Sequence, residues 1–381
     1  MRSFDTDILI IGAGVIGLSI ARELRRRGIA EIAVIDRGRC GGEASWAAAG
    51  MLAPNAETHE EGPFFRFCTA SNALYPEFAA QLFEETGVDV ELDRTGTLFL
   101  GFDENDDRLI SEKYDWQRSA GISVERLSAD EVRKLEPEVS PSVRGGLFYP
   151  NDWQVENRKL VEALRRSCEL SGVRIREGVE ATGLIIEGDK VAGVRVKESA
   201  IRASTVVVAS GAWACGLLGG EAIKPIRGQM IRLGGGPERV IKSVIYSSHG
   251  YLVPRADGRV LAGATVEDVG YRKEVHPETI LELRDAALEI APVLGNFDIK
   301  EAWAGLRPFA VDGLPVIGRV PGREGLFVAS GHFRNGILLA PVTAKLAADA
   351  LEGNGSSEFL YEFGPERFFS ASGGAAVTNR V

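Results

Sequence analysis

Little of what marks a metal, disulfide or membrane protein is present. The four cysteines, Cys40, Cys68, Cys168 and Cys215, lie far apart and form no CxxC, so neither disulfides nor a metal centre is expected and the thiols read as free. The four histidines, at 59, 249, 276 and 332, are equally scattered, which leaves no metal cluster to expect. No apolar run approaches the roughly 20 residues of a membrane span. The start, Met1-Arg2-Ser3-Phe4-Asp5, lacks the basic end and apolar centre of a signal peptide, so the expected location is the cytoplasm. No Lys and Arg run of the kind that binds nucleic acid is seen and the net charge is -10, which argues against nucleic acid, because phosphate binding needs concentrated positive charge. No internal repeat stands out, and the tail beyond Ser370, with Ser372-Gly373-Gly374-Ala375-Ala376, reads as disordered.

The composition is that of an ordinary globular protein, 45% hydrophobic and 26% charged, over 381 residues, enough chain for two or three domains. Near its start Asp7-Ile8-Leu9-Ile10-Ile11 runs into Gly12-Ala13-Gly14-Val15-Ile16-Gly17 and then into a helical pattern ending near Arg27. Strand, glycine turn and helix in that order match the dinucleotide fingerprint. Gly12 serves the tight turn, Gly14 the close approach of backbone to a pyrophosphate, and Gly17 the packing of helix on strand. The helix N-terminus then offers free N–H groups and a positive dipole end to the phosphates. The next apolar run, Ile32-Ala33-Val34-Ile35, ends in Asp36, where a carboxylate accepts hydrogen bonds from a ribose. An ADP-containing cofactor is the first expectation; a glycine turn without nucleotide is the alternative.

Further along, Gly41-Gly42-Glu43-Ala44-Ser45-Trp46-Ala47-Ala48-Ala49-Gly50-Met51 is crowded with small residues. They let backbone approach a large flat ligand, with Ser45 able to bond a phosphate, or they pack a tight helix start. Glu57-Thr58-His59-Glu60-Glu61-Gly62-Pro63 reads as a polar loop, either a lid or merely solvated. An amphipathic helix near Phe64–Glu85 is followed by short strands at 90–94, 97–100 and 144–149 around a charged helical piece. Asn157–Ser171 reads as a helix, Val173–Glu177 as a strand and Ala181–Val196 as a hairpin. Thr205–Ala209 is a buried strand leaving through Ser210-Gly211-Ala212-Trp213, the kind of exit where ligands sit in α/β sheets. Ile226–Thr265 alternates as antiparallel strands do, with turns at Gly234-Gly235-Gly236-Pro237 and Ala256-Asp257-Gly258. After a helix at Pro277–Ala291 the opening pattern returns, with strand Leu326–Ala329, a polar turn and helix Ile337–Leu351. The expected fold is α/β. A discontinuous Rossmann-like domain takes 1–85, 145–222 and 302–352, a second, mainly antiparallel β-sheet domain takes 86–144 and 223–301, and 353–381 is an extension.

The blocks IIGAGVIGLSIARELRRRG, GGEASWAAAGMLAP, HGYLVPR, WAGLRPFAVDGLPVIGR and VASGHFRNGILLAP together resemble the FAD-dependent amine oxidases of the D-amino-acid oxidase group, and within it the glycine oxidases. The likeness runs from about residue 5 to 351, and HFRNGILLAP is its sharpest part. It implies FAD as the cofactor. Val15, Ile16, Asp36 and Arg37 would hold the ADP half, with Gly12, Gly14 and Gly17 in the turn. Ala44, Ser45, Ala49, Gly50 and Met51 would follow the pyrophosphate and flavin, with Ala181 by the adenine and Gly211 at the strand exit. His332, Phe333, Arg334, Asn335, Gly336, Ile337 and Leu338 would cradle the isoalloxazine, the helix N-terminus stabilising negative charge at its N1–C2=O edge.

The same likeness assigns the substrate carboxylate to Arg307 and Tyr251, since a guanidinium fork binds a carboxylate bidentately and a phenol adds a third hydrogen bond. Arg334 would lie near substrate amine and carboxylate, Met51 against the substrate and His249 at the pocket edge. No catalytic acid, base or nucleophile is expected, because hydride transfer to flavin needs positioning and electrostatics. Pro308–Gly313 lacks the cysteine by which some relatives attach their flavin, so FAD is expected to be noncovalent. Val266 stands where the glycine-oxidase pattern has methionine, which implies a roomier pocket. The implied reaction is oxidation of glycine and other small amines or D-amino acids by O2. It yields an imine, then glyoxylate or a 2-oxo acid with ammonia, and hydrogen peroxide, in service of thiamine thiazole assembly. A dehydrogenase passing electrons to a quinone or carrier, and a flavin-binding subunit without turnover, stay open as alternatives, as does self-association.

Overall fold

The computed structural model describes residues 5–58, 60–197, 199–234, 238–354 and 357–369. The tail beyond Ser370, and Gly235-Gly236-Pro237 of one expected turn, lie outside them.

The chain opens with β1 (Asp5–Ile11), α1 (Val15–Arg26) and β2 (Ile32–Ile35). The glycines between β1 and α1 are required by contact. Gly12 has φ +109°, and a Cβ there would sit 2.4 Å from the Ala209 carbonyl oxygen; one on Gly17 would sit 1.9 Å from that of Gly12. Next come α2 (Ala44–Ala47), β3 (Met51–Leu52), α3 (Pro54–Glu57) and the long α4 (Pro63–Thr86), which ends on the left-handed Gly87. Then follow β4 (Thr97–Gly101), α5 (Glu104–Ser119), β5 (Glu125–Ser128), α6 (Ala129–Leu135), β6 (Gly145–Tyr149) and β7 (Trp153–Gln154). The chain continues through α7 (Asn157–Leu170), β8 (Arg174–Arg176), β9 (Ala181–Glu187), β10 (Lys190–Val196), β11 (Ser199–Val208) and α8 (Cys215–Leu218). It then runs β12 (Ile223–Leu233), β13 (Val244–Ser247), β14 (Gly250–Pro254), β15 (Val260–Gly263), α9 (Pro277–Ile290) and β16 (Ile299–Ala310). It closes with β17 (Val316–Arg319), β18 (Leu326–Ser330), α10 (Gly336–Leu351) and α11 (Glu358–Glu362).

The first sheet has the order β17-β18-β11-β1-β2-β8, with the β9–β10 hairpin paired to β11. Its central pairings, β18–β11–β1–β2–β8, are parallel. Both faces of β1 are covered: Ile8 and Ile10 join the core under α1, α4, α7 and α10, whereas Leu9 and Ile11 face Val191, Val194 and Ile201. Burial on both sides is why these strands read as continuous apolar runs.

The second sheet, β16-β12-β15-β14-β13-β4-β6-β5, is antiparallel except where β13 lies parallel to β4. Strand pairing moves two expected boundaries. β6 joins the second sheet through β4 and β5, and β16, which straddles residue 302, pairs along the whole of β12. The alternation of β16 is broken by Gly305, Arg307 and Pro308, so no strand is expected there. As an edge strand it accommodates a proline without losing a ladder hydrogen bond. The expected strand at 90–94 shrinks to one bridge, Asp93 to Gln154, while β5 was not anticipated.

Candidate active site

A cavity of about 800 Å³ is lined from both sheets. Most expected cofactor residues face it: Gly12, Gly14, Val15 and Ile16 at the start of α1, Asp36 and Arg37 after β2, Ala44, Ser45, Ala49, Gly50 and Met51 around α2, Ala181 on β9, and Gly211 after β11. His332, Phe333, Arg334, Gly336 and Ile337 line it from the approach to α10. Gly17, Asn335 and Leu338 do not. Gly17 packs on the Gly12 carbonyl, and Asn335 caps α10, its carbonyl accepting from Leu339 N. The helical turn carries Leu338 into the core, 2% exposed, where its carbonyl accepts from Ser71 Oγ.

The glycine-turn end fits a dinucleotide. Neither α1 nor α10 has an acidic residue in its first turn or a side-chain bond from its N-cap residue, so both N-termini are open to negative charge. Ser45 Oγ accepts from Val15 N at 3.0 Å and stands over Gly14, with its own proton free to donate. Asp36 is locked at the end of β2, accepting from Ala13 N and Gly38 N at 2.8 Å each. Arg37 lies over the Trp213 ring, 3.7 Å from its centroid, a flat platform beside the acid. The small residues around α2 serve packing as well. A Cβ on Gly305 would sit 2.4 Å from Ala47 Cβ, and Trp303 Nε1 donates to the Ala47 carbonyl at 3.0 Å. The buried Arg255 donates to the Ala49 carbonyl at 2.7 Å and fixes the stretch from behind.

At the other end Arg307 from β16, Tyr251 from β14, Arg334 before α10 and Met51 converge, with His249 at the rim. Arg307 lies across Gly228 of β12, where a Cβ would be 2.1 Å from its Nη1, and that nitrogen donates to the Thr265 carbonyl at 2.9 Å. Thr265 Oγ1 in turn donates to Glu267, which also accepts from Gln229 and Arg227. Burial works against the Glu267 charge, but these hydrogen bonds outweigh it and bring its pKa down to about 2. Burial pushes the Tyr251 phenol above its ordinary pKa, with the Arg307 charge opposing it. Tyr246, which sequence reasoning missed, stacks on Tyr251 at 6.1 Å and accepts from Arg334 Nη1 at 3.3 Å. His249 Nδ1 is 2.8 Å from Glu289. Val266 lines the cavity but is 65% exposed, and the buried methionine here is Met230, its Sδ 3.4 Å from the Tyr251 hydroxyl. The buried His332 is held neutral, burial lowering its pKa to about 3, with Nε2 3.1 Å from Thr343 Oγ1.

Glu57 was also missed, because it sits in a stretch that reads as polar loop. It is the last residue of α3 and nearly buried. No local signal marks it: α3 is held by Asp152, nearly a hundred residues away, which accepts from Asn55 N, Asn55 Nδ2 and Ala56 N. Burial raises the Asp152 pKa to about 7.

A family model described as FAD dependent oxidoreductase matches residues 7–350. The chain is 38% identical over 369 residues to the bifunctional protein ThiO/ThiG of Nostoc sp. (strain PCC 7120), covering 94% of this chain and 54% of that protein. It thus spans about half the length of the bifunctional relatives it matches. With the glycine oxidase of Bacillus licheniformis it shares 34% identity over 368 residues, 95% of this chain and 97% of that protein. The crystal structure of glycine oxidase from Geobacillus kaustophilus superposes with a TM-score of 0.92 at 31% identity, covering 97% of this chain and all of that one. The chain therefore belongs to the FAD-dependent oxidoreductase family of the D-amino-acid oxidase type, whose cofactor is FAD.

Proposed function

We propose that the protein oxidises glycine and other small amines or D-amino acids with O2. The products are an imine, hydrolysed to glyoxylate or a 2-oxo acid and ammonia, and hydrogen peroxide, with the imine available for thiazole assembly. The observation that carries this is the convergence of Arg307 and Tyr251 at one end of a cavity whose other end is the glycine turn. The relatives named glycine oxidase and ThiO/ThiG support it.

In this reading the first sheet and its helices hold the cofactor and the second sheet holds the substrate. Gly12, Gly14, Val15, Ile16, Asp36 and Arg37 take the ADP half, Ala181 the adenine, and Ala44, Ser45, Ala49, Gly50 and Met51 the pyrophosphate and flavin. Gly211, His332, Phe333, Arg334, Gly336 and Ile337 close on the isoalloxazine. FAD, when bound, supplies the two-electron acceptor. The protein's own residues bind and orient. Arg307 grips the carboxylate in two hydrogen bonds, Tyr251 adds a third, and the tie to Thr265 stops the guanidinium from swinging away. That clamp and the flavin face together would leave one orientation for the α-hydrogen, which selects glycine and D-amino acids. Pro308–Gly313 carries no cysteine, which supports noncovalent FAD. A cytoplasmic location is supported by the free state of all four cysteines; among the described residues no helix is long and apolar enough to cross a membrane.

The test is anaerobic flavin reduction by glycine, sarcosine and D-alanine, followed by oxygen uptake and peroxide in air. Flavin that bleaches without oxygen uptake would mean a dehydrogenase. Flavin that no amine bleaches would mean a protein without turnover.

A further inference from the structure

The substrate end of the cavity contains a carboxylate oxygen without a hydrogen-bond donor. The Glu57 side chain is 10% exposed, and its Oε2 is buried without a hydrogen bond. The nearest cation, Arg334 Nε, stands 3.6 Å away, within ion-pair reach but beyond a hydrogen bond. A buried charged acceptor left in this state is unfavourable, and the side chain stays there because its helix is held from both ends. Asp152, fully buried, accepts from the backbone N–H groups of Asn55 and Ala56 at the start of α3. Lys113, 1% exposed, donates to the Thr58 carbonyl at 2.6 Å just past its end.

The surrounding groups offer the wrong half of the chemistry to one another and the right half to a zwitterion. Arg307, Arg334, Tyr246 and Tyr251 are donors, and together they suit a carboxylate. The other acids lining the cavity are engaged or distant: Asp36 accepts from Ala13 N, Glu43 pairs with Arg37 and Lys273, and Glu180 adjoins Ala181 near β9. An α-amino acid bound by its carboxylate still brings an ammonium with three donors and needs an acceptor beside the arginines. We propose that Glu57 receives the substrate's ammonium, so that this end of the cavity selects amino acids over carboxylates of the same size that lack an N–H. Burial pushes its carboxyl upward in pKa, and Arg334, Arg307 and Lys113 pull it back. The assignment rests on the reading of this end as an amino-acid site.

Glycine and propionate, which has a methyl in place of the ammonium, separate the alternatives in the FAD-loaded protein. Propionate affinity is read from the perturbed flavin absorbance, and glycine affinity from the concentration dependence of anaerobic flavin reduction. In Glu57→Gln the glycine Kd rises at least tenfold while the propionate Kd is unchanged or lower; Glu57→Ala widens the gap. Parallel weakening of both ligands would show that Glu57 acts only by steering Arg334, and an unchanged glycine Kd would remove it from recognition altogether. Either result overturns the proposal and leaves the amino-acid site standing. If Arg307→Ala weakens neither ligand, the amino-acid site itself fails, and the role of Glu57 with it.

Discussion

Arg307 shows how much a single residue depends on its surroundings: its guanidinium occupies space vacated by Gly228 and is tied to the Thr265 carbonyl, away from α1. Arg307→Ala therefore removes charge-assisted contacts of about 1.5–3 kcal/mol each, a loss of roughly tenfold or more in substrate affinity, without touching the cofactor end. Substrate titration together with the flavin-to-protein absorbance ratio checks this. A variant that loses FAD while binding substrate normally per flavin would make Arg307 structural. At His332 the same scale yields a pH effect. The native ring, its pKa lowered to about 3, binds fewer protons than the unfolded one, whose pKa is about 6.5. Between those values stability is lost as pH falls, by up to about 1.4 kcal/mol per pH unit from this group. Denaturation midpoints measured from pH 7 to 4 should fall less steeply in His332→Gln, and an equal slope would show that the ring does not carry the dependence.

Among the elements, the β12–β16 ladder decides the site. Its register sets Gly228 opposite Gly305 and Ile226 opposite Arg307, so a single face of this sheet edge carries the guanidinium over Gly228 and, beside it at Gly305, room for Ala47. The three atoms nearest a Cβ at Gly228 all belong to the Arg307 guanidinium, a side-chain end that can yield by giving up its tie to Thr265, and not to backbone. Gly228→Ala should accordingly cost little stability yet weaken substrate binding nearly as much as Arg307→Ala; a variant with normal affinity would show that the guanidinium does not need that space. Gly12→Ala differs, since its Cβ would meet the Ala209 backbone at 2.4 Å in a left-handed conformation. Loss of FAD and of folding yield is expected there, read by flavin content of the purified protein. The strand–turn–helix units were legible because strands buried on both faces are apolar throughout and their turns demand glycine. β16 was not, since an edge strand that lines a site breaks its own alternation with Gly305, Arg307 and Pro308.

At the scale of the molecule the cavity is the joint between the sheets, lined by Gly12 and Ala209 from one and Met230 and Tyr251 from the other. FAD bound there should stabilise the whole fold by mass action, about 2.7 kcal/mol at a hundredfold excess over its Kd. Thermal unfolding of flavin-stripped protein with and without added FAD tests this, and an unchanged midpoint would contradict the placement of the cofactor. The sequence alone determined the cofactor end, because a tight turn, a close approach to phosphate and a helix start are requirements on neighbouring residues and must be written contiguously. The role proposed for Arg307 and Tyr251 came from a resemblance of their motifs and not from spacing, and the fold places both on the cavity wall. Only the tertiary structure decided that Glu57, in a stretch that reads as solvated loop, is a buried acid beside two arginines. Charge in a loop is solvated by default, and what buried it was packing by Asp152 and Lys113, far away in the chain.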